Sequence, residues 1–235
     1  MRKKLLRLAL ALLLLLALAF ALYVGRYYRA DETAARALVS SDAVTVSPTD
    51  YGWLFGGPAE DRALIFYPGA KVEETAYAPL LHALAAEGLD VCLVKMPFRL
   101  AVLGMNRADA VMETASYARW YVGGHSLGGA CAADYAAENG EKLDGVILLA
   151  AYPTKALDGD LTVVSVYGSS DGVLNRERYE AGKQYADADE FILNGGNHAQ
   201  FGSYGKQSGD GEAAITADEQ IRQTVAAILS SLARP

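Results

Sequence analysis

The sequence predicts an α/β protein with a doubly wound, mostly parallel sheet, preceded by a membrane-spanning helix at the N-terminus. Runs of valine, isoleucine and leucine alternate with segments in which apolar residues recur at helical spacing. The length of 235 residues suits one domain with a substantial core. Strands apolar on both faces need helices on both sides of the sheet, and right-handed crossovers then bring their carboxyl ends to one edge, where functional sites collect.

The predicted elements alternate along most of the chain. Strands, two of them with the loop that follows, are predicted at residues 43–47, 51–56, 62–69, 89–97, 118–124, 143–153, 161–171 and 189–198. Helices are predicted at residues 74–88, 101–116, 126–139, 175–186 and 215–232. The last helix opens with Thr216 and Glu219 at the spacing of a capping box. We therefore expect a polar linker at residues 30–42 and one domain at residues 43–235.

The first 29 residues have the pattern of a signal-anchor. Residues 8–25 carry no charge, and at 1.5 Å per residue they span about 27 Å, close to the roughly 30 Å of a bilayer core. The preceding positive charges, which keep that side in the cytoplasm, are Arg2, Lys3, Lys4 and Arg7. A cleaved signal peptide, with residues 19–21 as cleavage site, is the alternative and predicts a secreted protein. A buried core helix fits poorly, because the stretch is apolar on every face.

Charge and cysteine content exclude other classes. The net charge is -7, and no basic stripe follows the first few residues, so no nucleic-acid partner is expected. Cys92 and Cys131 both lie in apolar stretches and are expected to be buried free thiols, with a disulfide as the alternative outside the cytoplasm. No CxxC or His/Cys cluster is present, so we predict neither a metal site nor a cofactor.

The stretch Gly124-His125-Ser126-Leu127-Gly128 matches the pattern G-x-S-x-G between a predicted strand and a predicted helix. A chain that reverses from strand to helix in about three residues strains the central residue and needs flanking positions almost free of side chains. The Ser126 hydroxyl would then stand at a strand tip and a helix N-terminus, where developing negative charge is favoured. The pattern predicts a nucleophile, with a tightly packed glycine turn as the alternative.

A serine nucleophile needs a histidine base held by a carboxylate. His82 lies within a predicted helix and His125 points away from the serine, so we expect His82 to have no role and His125 to support the turn or line the pocket. His198 follows the last predicted strand and is the candidate base. Asp171 follows the strand before it and is the candidate carboxylate. Other aspartates stand before strands or at a strand start, namely Asp144, Asp158, Asp160, Asp187 and Asp189. A surface histidine and a turn aspartate are the alternatives.

Two backbone N–H groups are candidates for binding the oxyanion of a tetrahedral intermediate. One belongs to Leu127, and the other belongs to Ala70 in the loop "YPGAKV" after the third strand. Lys71 in that loop either meets an anionic substrate or is solvated. Pocket walls are expected from loops 98–107 and 199–213. Candidate lining residues, with simple packing as the alternative, are Phe98, Phe201 and Tyr204.

We call the stretch Gly124-His125-Ser126-Leu127-Gly128 the elbow. The elbow, "GSSDGV" and "GGNHAQFG", in that order, resemble the α/β-hydrolase superfamily over residues 43–232. The chain is most similar to the compact bacterial group called α/β hydrolase fold-5, near the dienelactone hydrolases. Those enzymes carry cysteine at the elbow where this chain has Ser126, so a dienelactone substrate is not expected. "YPGAK" replaces the HGGG-type loop of lipases and many esterases. About ten residues stand where many members insert a lid, and the resemblance therefore implies a small, open site.

The predicted function is that of a serine hydrolase, which cleaves a small carboxylic ester, thioester or lactone through an acyl-enzyme without a cofactor. The open site favours a short acyl group over a long-chain triglyceride. An acyltransferase or peptidase on the same three residues is the alternative among enzymes. A non-catalytic, membrane-tethered binding module is the alternative outside them. The expected partners are a small-molecule substrate and, through the N-terminal helix, the cell membrane.

Overall fold

The computed structural model describes residues 2–58 and 61–233. Its strands are β1 Thr45–Thr49, β2 Gly52–Gly56, β3 Arg62–Tyr67, β4 Asp90–Val94, β5 Arg119–His125, β6 Gly145–Leu149, β7 Thr162–Gly168 and β8 Ala188–Leu193. Its α-helices are α1 Arg2–Gly25, α2 Glu32–Ala37, α3 Ala78–Ala86, α4 Arg107–Met112, α5 Leu127–Asn139, α6 Arg176–Gly182 and α7 Ala217–Leu232.

All eight strands form one sheet in the order β1-β2-β4-β3-β5-β6-β7-β8. The pairs β1/β2 and β2/β4 are antiparallel, and every other neighbouring pair is parallel. The predicted mostly parallel sheet is confirmed. The carboxyl ends of β3, β5, β7 and β8 therefore meet at one edge, which brings together the loops that carry the candidate site residues.

Helices cover both faces of the sheet, as a doubly wound fold requires. Helices α3 and α7 pack on one face, in a core that includes Leu81 and Ile228. Helices α4 and α5 pack on the other face, in a core that includes Val111 and Ala132. Residues 63–67 of β3 are completely buried between the two layers. Only residues 150–161 separate β6 from β7, so no large lid is inserted there.

Three predicted helices are shorter than expected: the one predicted at 175–186 ends in a 3₁₀ turn after Gly182. Proline and glycine explain where the other two break. The segment predicted at 74–88 begins with a 3₁₀ turn, and α3 starts only at Ala78, with Pro79 in its first turn. Proline lacks an N–H and is tolerated in that turn but not further into a helix. The helix predicted at 101–116 is a 3₁₀ turn and the short α4, separated by Gly104, whose N–H donates to Ala101.

The segment predicted as a polar linker contains helix α2. Asp31 caps this helix, because its Oδ1 accepts the backbone N–H groups of Thr33 at 2.8 Å and Ala34 at 3.0 Å. Ala34 is completely buried, and α2 packs against α3. Residues 30–42 are therefore not a free tether, and the polar composition of the segment concealed a short capped helix.

Cys92 and Cys131 are both buried, and neither forms a disulfide in the described part of the chain, as the sequence predicts. Burial raises the pKa of each thiol to about 11, so both are protonated near neutral pH.

No residue of helix α1 is buried, and its mean hydropathy reaches 2.7 over an 18-residue window. Since a core helix would be mostly buried, the core-helix alternative is wrong. The length and composition of α1 suffice to cross a membrane, but a signal sequence has the same properties.

Candidate active site

Ser126 is the single residue between strand β5 and helix α5. Its φ of 54° and ψ of -125° lie in a region that costs a non-glycine residue about 1–3 kcal/mol. The Ser126 N–H donates to the Leu149 carbonyl at 2.9 Å, which fixes the turn to the neighbouring strand. The half-buried side chain stands at the N-terminus of a 13-residue helix, where the helix dipole stabilises negative charge.

The glycines on either side of Ser126 are needed because the end of β3 passes against the turn. A Cβ at Gly124 would collide with the Tyr67 carbonyl oxygen. A Cβ at Gly128 would collide with the carbonyl oxygens of both Tyr67 and Pro68. These contacts are with backbone atoms, which cannot rotate away as a side chain can. The close approach also brings the loop after β3 next to the first residues of α5.

Gly128→Ala is therefore expected to lower the free energy of unfolding by about 1–3 kcal/mol, the usual cost of forced overpacking. Urea denaturation monitored by circular dichroism measures this change. Gly159→Ala is the matched control, since nothing lies within 4 Å of its added Cβ, and we expect a change of no more than about 0.5 kcal/mol. Equal urea midpoints for Gly128→Ala and the wild type would contradict the steric explanation.

His198 and Asp171 form a buried pair, with 2.8 Å between His198 Nδ1 and Asp171 Oδ2. Both side chains are almost completely shielded from solvent. The other carboxylate oxygen, Oδ1, accepts the N–H groups of Val173 and Leu174, each at 2.8 Å. Burial raises the pKa of Asp171, but the bonds from His198 and the two N–H groups outweigh it, and the pKa lies below its ordinary value. The ionised carboxylate fixes the tautomer with the proton on Nδ1.

The other ring nitrogen of His198, Nε2, is buried and has no hydrogen-bond partner among the described residues. The centroid of the His198 ring lies 4.3 Å from that of His125, the residue before Ser126, and the two rings are tilted by 51°. The structure thus brings His198 beside the elbow, but no hydrogen bond joins it to Ser126. Catalytic hydrogen bonds of this kind are often long without substrate and tighten in the complex.

Asp210 holds the loops of this pair together, a role that was not predicted from the sequence. Its carboxylate accepts the N–H groups of His198 at 3.1 Å and Ala199 at 2.8 Å. It also accepts those of Gly172 at 3.2 Å and Gly211 at 2.9 Å. The loop after Asp171 and the loop of His198 are therefore tied to one carboxylate. In the sequence, an aspartate between glycines in a polar loop cannot be distinguished from an aspartate of a solvated turn.

We expect Asp210→Ala to reduce kcat at least tenfold with little change in KM, because the side chain positions His198 from its backbone side and does not contact the groove. The free energy of unfolding should fall by about 1–3 kcal/mol, since buried donors lose their acceptor. Asp187→Ala, an exposed position before β8, is the control and should leave both quantities unchanged. A wild-type kcat for Asp210→Ala would contradict the positioning role.

His125 and Tyr77 support the loop after β3. The Gly69 N–H donates to the Tyr77 hydroxyl at 3.0 Å, and that hydroxyl lies 2.9 Å from His125 Nδ1. Burial, with a smaller contribution from His198, lowers the pKa of His125 well below its ordinary value, so the ring is neutral and its Nδ1 can accept the Tyr77 proton. His125 is buried behind the elbow, and Tyr77 is a supporting residue that the sequence analysis missed.

The predicted oxyanion donors are both available. Neither the Ala70 nor the Leu127 backbone N–H donates to an acceptor within the described residues. Lys71 has a φ of 57°, and its Nζ lies 4.3 Å from the centroid of the Tyr23 ring near the end of α1. Its ammonium group therefore contacts an aromatic face.

The remaining predicted pocket residues fall into two groups. Phe201 and Tyr204 are buried: the Phe201 ring lies 5.5 Å from that of His125, and the Tyr204 ring lies 6.5 Å from that of Tyr77. They pack in the core beneath the site, which agrees with the packing alternative. Phe98 is 55% exposed. His82 is a half-buried residue of α3.

An open groove of about 500 Å³ is lined in part by Leu127, the residue after Ser126, and we call it the α5 groove. Its apolar lining includes Val102, Met105, Leu127, Cys131, Tyr152 and Pro153. Polar side chains at its borders include Asp134 and Arg178. Its volume is in the range of small-molecule sites. Two lining residues come from the residues 98–107 predicted to form pocket walls, whereas the contribution of residues 152–153 required the tertiary structure.

The sequence profile of the alpha/beta hydrolase family matches residues 63–222 of the chain. This match spans β3 to α7, and so includes the elbow and the buried pair. No curated protein is similar enough to count as a match.

Solved structures share the fold at low sequence identity. Protein TT1662 from Thermus thermophilus has a TM-score of 0.57 and 14% identity, over 82% of this chain and 99% of that one. Est1E from Butyrivibrio proteoclasticus has a TM-score of 0.55 and 14% identity, over 82% and 100%. A bacterial membrane phospholipase A, described as a virulence factor, has a TM-score of 0.58 and 13% identity, over 97% and 99%. The profile match, together with the sheet order and the elbow, shows that the chain belongs to the alpha/beta hydrolase family.

Proposed function

We propose that the protein hydrolyses a carboxylic ester, thioester or lactone through an acyl-enzyme on Ser126, with His198 as the base and Asp171 as the orienting carboxylate. The observation that carries the proposal is the buried His198–Asp171 pair, joined at 2.8 Å, whose imidazole ring has an unpartnered Nε2. The centroid of this ring lies 4.3 Å from that of His125, the residue before the strained Ser126. A buried polar atom without a partner is costly, so its presence at this position supports a role in proton transfer.

Each residue has one task in the reaction. His198 Nε2 takes the Ser126 proton as Oγ bonds to the carbonyl carbon, and it then gives that proton to the leaving group as the ester C–O bond breaks. Water, deprotonated by the same nitrogen, attacks the acyl-serine, and the acid leaves as Ser126 regains its proton. Asp171 keeps the Nδ1 proton in place throughout and stabilises the imidazolium. The N–H groups of Ala70 and Leu127, which have no acceptor among the described residues, are the proposed oxyanion donors.

A panel of p-nitrophenyl esters with acyl chains of two to sixteen carbons tests this function. We expect burst release of p-nitrophenol followed by steady turnover, because p-nitrophenol leaves in the acylation step and the acyl-enzyme accumulates when deacylation is slower. A product in which an added alcohol or amine carries the acyl group would favour the acyltransferase alternative, and cleavage of peptides alone would favour the peptidase. Binding of an ester without turnover would support the non-catalytic binding module.

We also propose that α1 anchors the hydrolase domain outside the cytoplasm. The support is its length, its composition and the four basic residues at its start. N-terminal sequencing of protein from the membrane fraction, with added protease, tests the proposal. An intact N-terminus and digestion of the domain only from the outside are expected. A chain that begins after residue 21 in the soluble fraction would show the signal-peptide alternative.

A further inference from the structure

The chain leaves helix α1 at the edge of the candidate site. The Tyr28 N–H donates to the Lys71 carbonyl at 2.8 Å, and the Glu73 N–H donates to the Tyr28 carbonyl at 2.8 Å. Three residue steps separate Gly25, the end of α1, from Tyr28, and they span at most about 11 Å. The end of α1 is therefore held close to the loop that carries Ala70, the proposed oxyanion donor.

Further hydrogen bonds fix the segment after α1. The Ala30 N–H donates to the Glu73 carboxylate at 3.1 Å, and the Asp31 N–H donates to the Ser203 carbonyl at 2.9 Å. Ser203 lies five residues after His198, so the segment is attached to both loops of the site. A domain on a flexible linker could turn any face to a membrane, whereas these bonds turn the site toward the side from which α1 extends.

The last turns of α1 contact the segment after β4. The Phe20 and Phe98 rings lie 5.3 Å apart edge to face, and the Arg99 guanidinium lies 3.5 Å from the Tyr27 ring centroid. Phe20 precedes Gly25 by five residues, which is about 7.5 Å along a helix. If α1 spans a bilayer, Phe98 is consequently at the depth of its outer boundary, which interfacial segments reach.

Exposed apolar side chains continue from this contact, and we call residues 98–103 the rim. Phe98, Val102 and Leu103 are 55%, 49% and 51% exposed. Phe98 and Arg99 have φ values of 52° and 60°, which L-residues rarely adopt, so the backbone is strained where it presents the phenyl ring. The nearby cations and aromatic rings are Tyr23, Arg26, Tyr27, Lys71 and Arg99. Exposed apolar residues with tyrosine and basic neighbours are typical of a membrane–water interface.

Val102 belongs both to the rim and to the α5 groove, whose lining also includes Leu127, the residue after Ser126. We propose that the substrate is a carboxylic ester lipid of the bilayer that holds α1, and that the rim dips into this bilayer and passes the acyl chain into the groove. This inference rests on the proposed function and replaces the short acyl ester by a membrane-borne one. Water and the lipid ester give a fatty acid and the deacylated lipid, with the acyl group carried on Ser126 between the two steps.

The test uses the full-length protein reconstituted into vesicles of dioleoyl phosphatidylglycerol and dioleoyl phosphatidylethanolamine. Release of oleate and turnover of soluble p-nitrophenyl acetate are measured on the same samples. We expect the wild type to release oleate. Leu103→Glu should reduce this release at least fivefold and change acetate turnover less than twofold, because a charge on the rim opposes its insertion but lies outside the groove.

Ile192→Glu is the matched control, since Ile192 is a 54% exposed apolar residue of strand β8, away from the rim. It should leave both activities unchanged. Turnover of p-nitrophenyl acetate without oleate release by the wild type would overturn this inference and leave the proposed function standing. Equal oleate release by Leu103→Glu and the wild type would also overturn it. Absence of both activities would overturn the proposed function and the inference together.

A second measurement locates the rim without depending on activity. Tryptophan fluorescence of Phe98→Trp in vesicles with brominated acyl chains should be quenched at least twice as strongly as that of Ile192→Trp. Equal quenching of the two variants would place the rim in water and contradict the proposal.

Discussion

Ser126→Ala is expected to reduce kcat/KM for p-nitrophenyl esters by roughly 10⁴- to 10⁶-fold, the scale of losing the nucleophile of a serine hydrolase. The reason is that the covalent route disappears, while the proposed oxyanion donors and the groove remain. Burst release of p-nitrophenol should vanish as well. Stopped-flow and steady-state assays on the same preparation measure both quantities.

The substitution also removes a hydroxyl from a strained position, so folding needs a separate check. Thermal unfolding should show that Ser126→Ala is at least as stable as the wild type. Alanine keeps the positive φ with the same backbone strain as serine, and no buried hydrogen-bond partner is lost. Ser116→Ala is the matched control: this serine is exposed and precedes β5, at the opposite edge of the sheet. Its kinetics should equal those of the wild type. A Ser126→Ala rate within tenfold of the wild-type rate would rule out Ser126 as the nucleophile.

Asp171→Asn is expected to lower kcat by about 10⁴-fold with the fold retained. The structure explains why an uncharged isostere fails. Oδ1 of Asp171 accepts two backbone N–H groups, so an asparagine must place its carbonyl oxygen there and turn its amide NH₂ toward His198. Nδ1 would then have to accept, the ring proton would move to Nε2, and Nε2 could no longer take the serine proton.

The pH dependence of stability gives an independent readout of this substitution. The folded-state pKa of Asp171 lies below its ordinary value, so ionisation stabilises the wild type above the unfolded-state pKa. That contribution is lost as the pH falls through the folded-state pKa. Asp171→Asn should therefore lose less stability between neutral pH and acid than Asp187→Asn, its exposed control.

For the kinetic prediction, a kcat of Asp171→Asn within tenfold of the wild-type value would contradict the orienting role of Asp171.

The sheet and the positions of Ser126, Asp171 and His198 could be inferred from the sequence because each rests on a local pattern. Buried parallel strands are apolar throughout, and strand tips in an α/β fold share an edge wherever the strands lie in the chain. The structure joins Asp171 and His198 by a hydrogen bond, although 27 residues separate them. The link from His198 to Ser126 rests on proximity through His125 and on the proposed chemistry.

Asp210 and Tyr77 could not be inferred, because their roles consist of tertiary hydrogen bonds that leave no periodic or motif signal. Asp210 looks like any turn aspartate, and Tyr77 looks like a core residue of a helix. The prediction that Phe201 and Tyr204 line the pocket rested on a sequence signal that fits two different positions. Aromatic residues near a catalytic loop fill either the pocket or the core beneath it, and the sequence does not distinguish the two.

The segment at residues 30–42, predicted as a linker, contains a helix that its composition does not predict. Its composition is polar, but Asp31 satisfies the first N–H groups of α2, and the buried Ala34 supplies the contact with the domain. A six-residue helix with one small buried side chain does not show the repeat of apolar residues by which helices are predicted. The attachment of this segment to the loops of Lys71 and Ser203 depends on backbone hydrogen bonds, which no sequence pattern predicts.

Covalent capture of the serine tests the account most directly. Reaction with a fluorophosphonate, followed by trypsin and mass spectrometry, should place one adduct per chain on the peptide of residues 120–142, which contains Ser126 as its single serine. Ser126→Ala should take up no label on that peptide or elsewhere. Labelling of a different residue in the wild type, or equal labelling of wild type and Ser126→Ala, would contradict an acyl-enzyme at the turn between β5 and α5.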